Sequence, residues 1–587
     1  MYIKTLKINN WRSIKNAEVT LNEIMLLIGQ NNHGKSNILS AFLFFFGEIK
    51  PEILDYHKGS NSLYVEATFT ELNAQDKITF KKYLASDFSL TVRKTSSNEN
   101  GIQYSGYCEL PDDEWLLEEN ASKYTTRESI QWVPLQSYIP ETGRISRQMI
   151  LDAQTKYIED NFSKITYTRK LEAGAFLGQK NIAKGIFGEV FYIPSVRNAS
   201  DELSAKNNSV FSQIYSKILS NFSQKNEEYN NAKEKMINLV QRLNKKLLDG
   251  SDNMERPEEL RSFENDLDEE MKFWETKIDV EISPPDIDDA LRTSTTVWVD
   301  DGFRTDINRK GHGLQRSLIF GLIKVLAKSK LMDIQDNDLT PRQSSKSSFF
   351  IIEEPELYLH PQAQRQAFDS LRKLAGINSQ VILCTHSSTF LDLNLYKSIC
   401  IVKKMSDEEG TKCFQNTTDL FIDSDERDKF NIAYWINPDR AELFFAKKVI
   451  LVEGPTDKTI IPFLAEKLNI FRHDYTIIDC SSKDSMPTYI KLLNAFKIPY
   501  IVIFDKDHQA DKTKQAKEQA DRISNKIISS IDSSLGKSIV FINDIEEEIG
   551  VSKDSNTGKP LAALKHVSNI NYSINESIME KIKIIYN

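Results

Sequence analysis

The stretch Ile24-Met-Leu-Leu-Ile28-Gly29-Gln-Asn31-Asn32-His-Gly34-Lys35-Ser36 leads from a short apolar strand into a glycine-bounded loop. An apolar helix candidate, Ile38 to Phe46, follows directly. The loop fits G-x-x-x-x-G-K-[ST] and stands between strand and helix, where that motif must stand. Its spacing follows from phosphate chemistry. Backbone N–H groups of a loop running through Gly29, Asn31, Asn32 and Gly34, and of the helix start, face phosphate oxygens. Lys35 reaches the terminal phosphates, and the Ser36 hydroxyl completes a Mg²⁺ shell. Around this core, Tyr2–Ile8 and Ser62–Thr70 alternate apolar and polar residues, the pattern of strands in one sheet.

A phosphate-hydrolysing site needs a carboxylate on a neighbouring strand. Ser348-Phe-Phe-Ile-Ile352 is apolar and ends in Glu353-Glu354-Pro355-Glu356. Glu353 is placed to hold Mg²⁺ and Glu354 to polarise an attacking water. A second apolar run, Val381–Cys384, ends in Thr385-His386-Ser387, where His386 can contact a γ-phosphate. Lys310-Gly-His-Gly313-Leu-Gln315-Arg316 opens a helix expected over Ser317 to Ala327. Gly313, Gln315 and the helix N-terminus make a second anion site, and one P-loop per chain suggests that this site is used across a dimer.

A different constellation begins past Arg440. Lys448-Val-Ile-Leu-Val452 runs into Glu453-Gly454-Pro455-Thr456-Asp457, and Gly454 allows a sharp turn there. Pro499–Phe504 runs into Asp505-Lys506-Asp507, whose alternation places both aspartates on one side. Ser538–Ile542 ends in Asn543-Asp544-Ile545-Glu546. Clustered carboxylates repel unless a cation neutralises them, and oxygen-only ligands suit Mg²⁺ or Mn²⁺.

Between these halves, Phe211 to Leu248 and Pro257 to Ile278 read as polar helices around a turn at Gly250. They form either a solvated insertion or a dimerisation arm. The chain has 587 residues, enough for about four structural units, and its 40% hydrophobic and 27% charged residues exclude disorder and fibrous repeats. Lys and Arg number 75 against 84 Asp and Glu, so nucleic-acid contact must rely on local basic patches. One such set is Lys506, Lys512, Lys514, Lys517, Arg522 and Lys526, equally readable as a solvated helix face. Five cysteines without a C-x-x-C pair argue against a zinc ribbon and fit a reducing compartment. The N-terminus lacks the apolar core of a signal peptide, and no segment is apolar over a membrane's width, so a cytoplasmic protein without a membrane partner is expected.

The order P-loop, insertion, G-x-G helix, E-E strand, Thr-His resembles the ABC-type ATPases of the RecF and structural-maintenance-of-chromosomes kind. In that family two heads sandwich ATP; here Lys310 and His312 depart from the S-G-G-Q signature. E-G-x-x-D with D-x-D resembles the Toprim fold of topoisomerases, primases and certain nucleases. An ABC-type head joined to a C-terminal Toprim domain resembles the OLD (overcoming lysogenisation defect) nucleases, which include the nuclease subunits of Gabija anti-phage systems. The fold implied is α/β: an ATPase N-lobe at 1–100, a largely helical insertion or dimerisation region at 101–294, an ATPase C-lobe at 295–430 and a Toprim nuclease domain at 440–587.

This resemblance implies ATP as cofactor and a two-metal site. Its ligands would be Glu453, Asp457, Asp505, Asp507, Asp544 and Glu546, with Glu453 and Asp505 in catalysis and Lys559 assisting cleavage. Asp479-Cys-Ser-Ser-Lys483 stands where relatives carry a glycine-rich turn with Lys, without the glycines. The expected function is a metal-dependent DNA endonuclease coupled to ATP binding or hydrolysis, acting in anti-phage defence. The expected partners are DNA, a second copy of the chain or a higher homo-oligomer, and a helicase-like protein. The rival reading is a repair or tethering ATPase with a non-catalytic Toprim domain.

Overall fold

A computed structural model describes residues 1–587 apart from 99–100, 180–181, 183–184, 196–210, 213–214, 216–217, 220–221, 223–225, 248–250, 275, 277, 284–290, 292–294, 334–346, 377, 422–437, 509–511 and 552–558. The chain divides into two compact units. The first comprises Met1–Ile193, Asp338–Glu356 and Leu371–Asn587; the second comprises Pro194–Asn337 and Leu357–Ser370.

Among the described residues the first unit holds three sheets. Strands β1 (Tyr2–Trp11), β2 (Ile14–Thr20), β4 (Ser62–Thr70), β5 (Leu90–Ser97), β6 (Gly101–Pro111) and β7 (Tyr167–Leu171) form an antiparallel sheet in the order β2-β1-β4-β5-β6-β7. β5 buries every second residue, as a sheet with one solvated face requires. The second sheet takes β3 (Ile24–Ile28), β8 (Glu189–Ile193), β9 (Ser348–Glu353), β10 (Ser379–Cys384), β11 (Ile399–Lys404) and β12 (Thr411–Gln415). Its order is β12-β11-β3-β10-β9-β8, parallel except for the β11–β12 pair. β3, β9 and β10 are buried along their whole length, the signature of parallel strands covered on both faces.

The helix Lys35–Phe46 joins these two sheets. Its Phe44 stacks on Trp11 of β1 at 5.1 Å, Phe45 meets Phe69 of β4 at 5.9 Å, and Phe46 meets Phe349 of β9 at 4.9 Å. Contact with a sheet on either side explains why the helix is apolar around its circumference. The buried Lys94 ammonium donates 2.6 Å to the Phe44 carbonyl near the helix C-terminus, where a cation suits the backbone dipole. The span 101–193, expected as part of a largely helical region, supplies β6, β7 and β8 to these sheets.

The third sheet is parallel, with β13 (Lys448–Val452), β14 (Tyr475–Asp479), β15 (Tyr500–Asp505) and β16 (Gly536–Phe541) in the order β14-β13-β15-β16. The helix Pro455–Lys467 packs against Lys559–Val567 and Glu576–Tyr586, and Met486–Ala495 packs against Lys514–Ser530. Because the chain steps outward from β13 to β14 and returns to β15 on the other side, the crevice at the carboxyl ends of β13 and β15 is the topological switch point, where such sheets bind ligands.

In the second unit, helices Glu227–Leu243 and Glu258–Glu270 replace the two longer expected helices; the turn at Gly250 lies outside the described residues. Arg256 clamps Glu264 through two 2.6 Å bonds in a buried fork, which ties the two helices' connection to the second helix. A short ribbon pairs Trp298–Val299 with Thr305–Asp306, and the G-x-G segment opens a helix over His312–Asp333, longer than expected. Among the described residues no helix is long and apolar enough to cross a membrane.

Candidate nucleotide and carboxylate sites

The loop Gly29–Ser36 leaves β3 at its carboxyl end. Gly29 has φ +144°, and a Cβ there would lie 2.2 Å from the Val402 carbonyl oxygen. Gly34 caps the helix at φ +98°, where a Cβ would press on the Thr411 hydroxyl at 2.7 Å. Both glycines are therefore dictated by the neighbouring β11–β12 hairpin as well as by the loop's own turn. Thr411 holds the loop by donating to the His33 carbonyl at 3.1 Å. Lys35 is buried and donates 2.9 Å bonds to the Gly29 and Gln30 carbonyls; burial pushes its ammonium below the ordinary lysine range. Asn31, Asn32 and Ser36 are exposed along the loop.

Two strands away in the same sheet, β9 delivers Glu353 and Glu354. Glu354 adopts φ +43°, and its amide donates 2.7 Å to the Cys384 carbonyl at the end of β10. This pins the acidic strand end to the Thr-His turn. The His386 Nε2 atom is 3.9 Å from Glu354 Oε1. Glu356, not singled out from the sequence, carries much of the geometry: it accepts from the Thr385 hydroxyl at 2.8 Å and from the His386 amide at 2.6 Å. The run E-E-P-E was its only signal. Lys35 feels Glu354 and Glu356 electrostatically, which places the P-loop cation beside the acidic strand end. Gly313 and Gln315 belong to the second unit. The buried Gln315 amide donates 2.9 Å bonds to the Ile307 and Lys310 carbonyls, so it braces its own loop.

At the switch point of the third sheet, Glu453, Asp457, Asp505, Asp507, Asp544, Glu546 and Lys559 all line one cavity. Each arrives by a different local device. Glu453 follows the last residue of β13. The chain bends at Glu453–Gly454 as expected, but Gly454 is extended at φ −155° and among the described residues nothing lies near its absent Cβ, so the bend does not draw on a conformation reserved for glycine. Instead Gly454 caps the helix Pro455–Lys467, and its amide donates 3.3 Å to Asp457. β15 ends at Asp505, and Asp507 reaches the cavity through a left-handed φ of +61° rather than by strand alternation. Asp544 caps the short helix Ile545–Glu548, accepting from the Glu547 amide at 2.8 Å.

The electrostatics are those of a crowded acid cluster. Burial, followed by Asp457, Glu453, Asp507 and Asp544, pushes the Asp505 carboxyl up to about 9. Burial also pushes Asp457 up to about 7 against an amide bond from Gly454, and among the described residues one of its buried oxygens has no hydrogen-bond partner. Glu453 is raised, chiefly by burial and then by Asp507. Two lysines supply partial compensation. Lys483, the residue from the turn without glycines, is buried and donates to the Asp505 carbonyl, with its ammonium 3.5 Å from Asp507 Oδ2. Lys512 donates to Asp507 Oδ1 at 2.6 Å.

The donor set fits a hard divalent cation: six carboxylates, an unsatisfied buried oxygen and an excess of negative charge. Among the described residues no group of three is already drawn together as a metal-holding cage.

Comparison with known proteins agrees with both halves. A family model described as AAA ATPase domain matches residues 1–391, and one described as Overcoming lysogenization defect protein-like, TOPRIM domain, matches 444–507. The Old nuclease of Escherichia phage P2 is 24% identical over 521 residues, covering 86% of this chain and 77% of its own. The OLD nuclease of Thermus scotoductus is 26% identical over 42% of this chain and 46% of its own. Endonuclease GajA of Bacillus cereus is 28% identical over 29% of this chain and 27% of its own.

Proposed function

The chain belongs to the AAA ATPase domain family, and on that premise we propose that it is a metal-dependent DNA endonuclease whose cutting is regulated by ATP at the P-loop. The observation that carries this reading is the convergence of six carboxylates and Lys559 on one cavity at the switch point of the TOPRIM sheet. The nuclease names of three relatives support it.

Glu453, Asp457 and Asp505 would hold one cation, and Asp507, Asp544 and Glu546 the other. Mg²⁺ or Mn²⁺ bound there supplies an activated water and neutralises the leaving 3′ oxygen. Lys559, exposed on the cavity lining, offers an ammonium to the scissile phosphate. Lys483 fixes the Asp505 backbone, so that the carboxylate most affected by its neighbours keeps its place.

At the ATPase site, Lys35 would bind the terminal phosphates and Ser36 and Glu353 the Mg²⁺. Glu354 would polarise water, with His386 held beside it by Glu356. The Gly313–Gln315 segment of a second copy would complete the site, making a homodimer the working form. A helicase-like partner and a role in conflict with phage extend this reading; the second is supported by the family's name and by a phage-encoded relative.

The experiment is scission of supercoiled plasmid in Mg²⁺ or Mn²⁺, with and without ATP. Metal-dependent nicking whose rate ATP alters is expected. ATP hydrolysis without any nicking would instead support a tethering ATPase.

A further inference from the structure

A second cavity, of about 280 Å³, lies behind the P-loop. One wall is the P-loop itself, through Gly29, Gln30 and His33, together with β11. The opposite wall is the segment entering β13 and the turn entering β15. Lys403, Lys404, Lys447 and Lys497 line it, and among the described residues no carboxylate does. In a chain with nine more acids than bases, that is a local concentration of positive charge.

The compensating acids stand outside the lining. Asp407 is 3.1 Å from Lys404, Asp474 is 3.8 Å from Lys447, and Asp532 is 3.8 Å from Lys497. Half-exposed pairs at 3.8 Å bind their lysines weakly. Lys403 has no ion pair among the described residues. His33, on the P-loop wall, is held below the ordinary histidine range by burial and then by Lys35, with Lys403 and Lys404 of the lining contributing. Half-buried Phe414 and Phe445 add aromatic surface to the same cavity.

Lysine ammoniums suit phosphate, and an accessible ring suits a base. The volume admits one small ligand and excludes a duplex. We propose that this cavity is a second nucleotide site, taking a nucleoside phosphate with its base on Phe414 or Phe445 and its phosphates on the four lysines. The position gives it a regulatory use. Gly29 and Gln30 line the cavity and also hold Lys35 through their carbonyls, so an occupant bears on the loop that grips ATP. The other wall feeds β13 and β15, whose ends carry Glu453 and Asp505. Occupancy therefore couples to both sites, and the coupling is reciprocal.

The test counts sites on the full chain by equilibrium dialysis with radiolabelled AMP-PNP and Mg²⁺. Wild type should bind two per chain. Lys35→Ala should keep one, and Lys403→Glu with Lys497→Glu should keep the other, which also shows that the doubly substituted protein is folded. One site in wild type and none in Lys35→Ala would overturn the proposal. So would two sites persisting in the double variant, or a double variant that loses duplex DNA binding alone. Should Lys35→Ala keep both sites while the double variant loses one, the P-loop assignment fails and the second site stands.

Discussion

The ammonium of Lys512 lies 2.6 Å from Oδ1 of Asp507 in the carboxylate cavity. The lysine does there part of what a cation would do, neutralising an acid that otherwise raises Asp505 and Glu453. On the proposed function, metal and lysine would compete for that oxygen. Lys512→Ala is expected to tighten Mn²⁺ binding about threefold or more, the scale of a partly exposed charge pair. Calorimetric titration of the metal checks this, and unchanged affinity would show that the pair does not oppose loading.

The raised carboxyls set a pH dependence. Asp505 and Asp457 hold their protons more tightly folded than unfolded, so their contribution to metal-free stability is complete below the ordinary value of 3.8. It is lost as pH rises through about 7 and then about 9. Metal relieves the repulsion that builds over this window. The rise in melting temperature produced by Mn²⁺ should therefore be larger at about pH 8.5 than at about pH 6, with proton release on binding at the lower pH. Thermal unfolding at the two pH values decides it; an equal or smaller shift at high pH contradicts the assignment.

At the P-loop, Lys35→Ala should weaken ATP binding at least about tenfold, because a charge-assisted contact is removed from a desolvated site. Glu354→Gln should retain ATP while slowing turnover by roughly a hundredfold or more, the usual range for a lost catalytic base. Binding by titration and hydrolysis by phosphate release separate the two effects.

Glu356 acts through its neighbours. Glu356→Ala should lower kcat for ATP about tenfold or more by freeing the Thr385–His386 turn, with KM little changed, and Glu356→Gln should recover part of the loss. A change confined to thermal stability, with kcat intact, would reduce Glu356 to a structural brace.

Much of the chemistry was legible because it sits at the ends of short apolar runs. Ile24–Ile28, Ser348–Ile352 and Lys448–Val452 are strands, and the residues that follow them are where the parallel sheets expose their carboxyl edges. What stayed hidden depends on tertiary paths. Lys512 pairs with Asp507 in the folded chain, and a lysine in a basic run has no signature for that. Strand alternation predicts Asp507 on the side of Asp505, and it lies there, but by way of a left-handed residue rather than by alternation. The span 101–193 yields strands such as Glu189–Ile193, buried by their partners more than by their own pattern.

On the proposed function, the cavity holding Asp505 is where DNA is cut. Nicking of supercoiled plasmid by wild type and by Asp505→Asn, side by side in Mn²⁺ and in EDTA, tests it most directly. The prediction is scission by wild type in Mn²⁺, none in EDTA and none by Asp505→Asn, with ATP binding equal in both proteins. Cleavage by Asp505→Asn at the wild-type rate would contradict it.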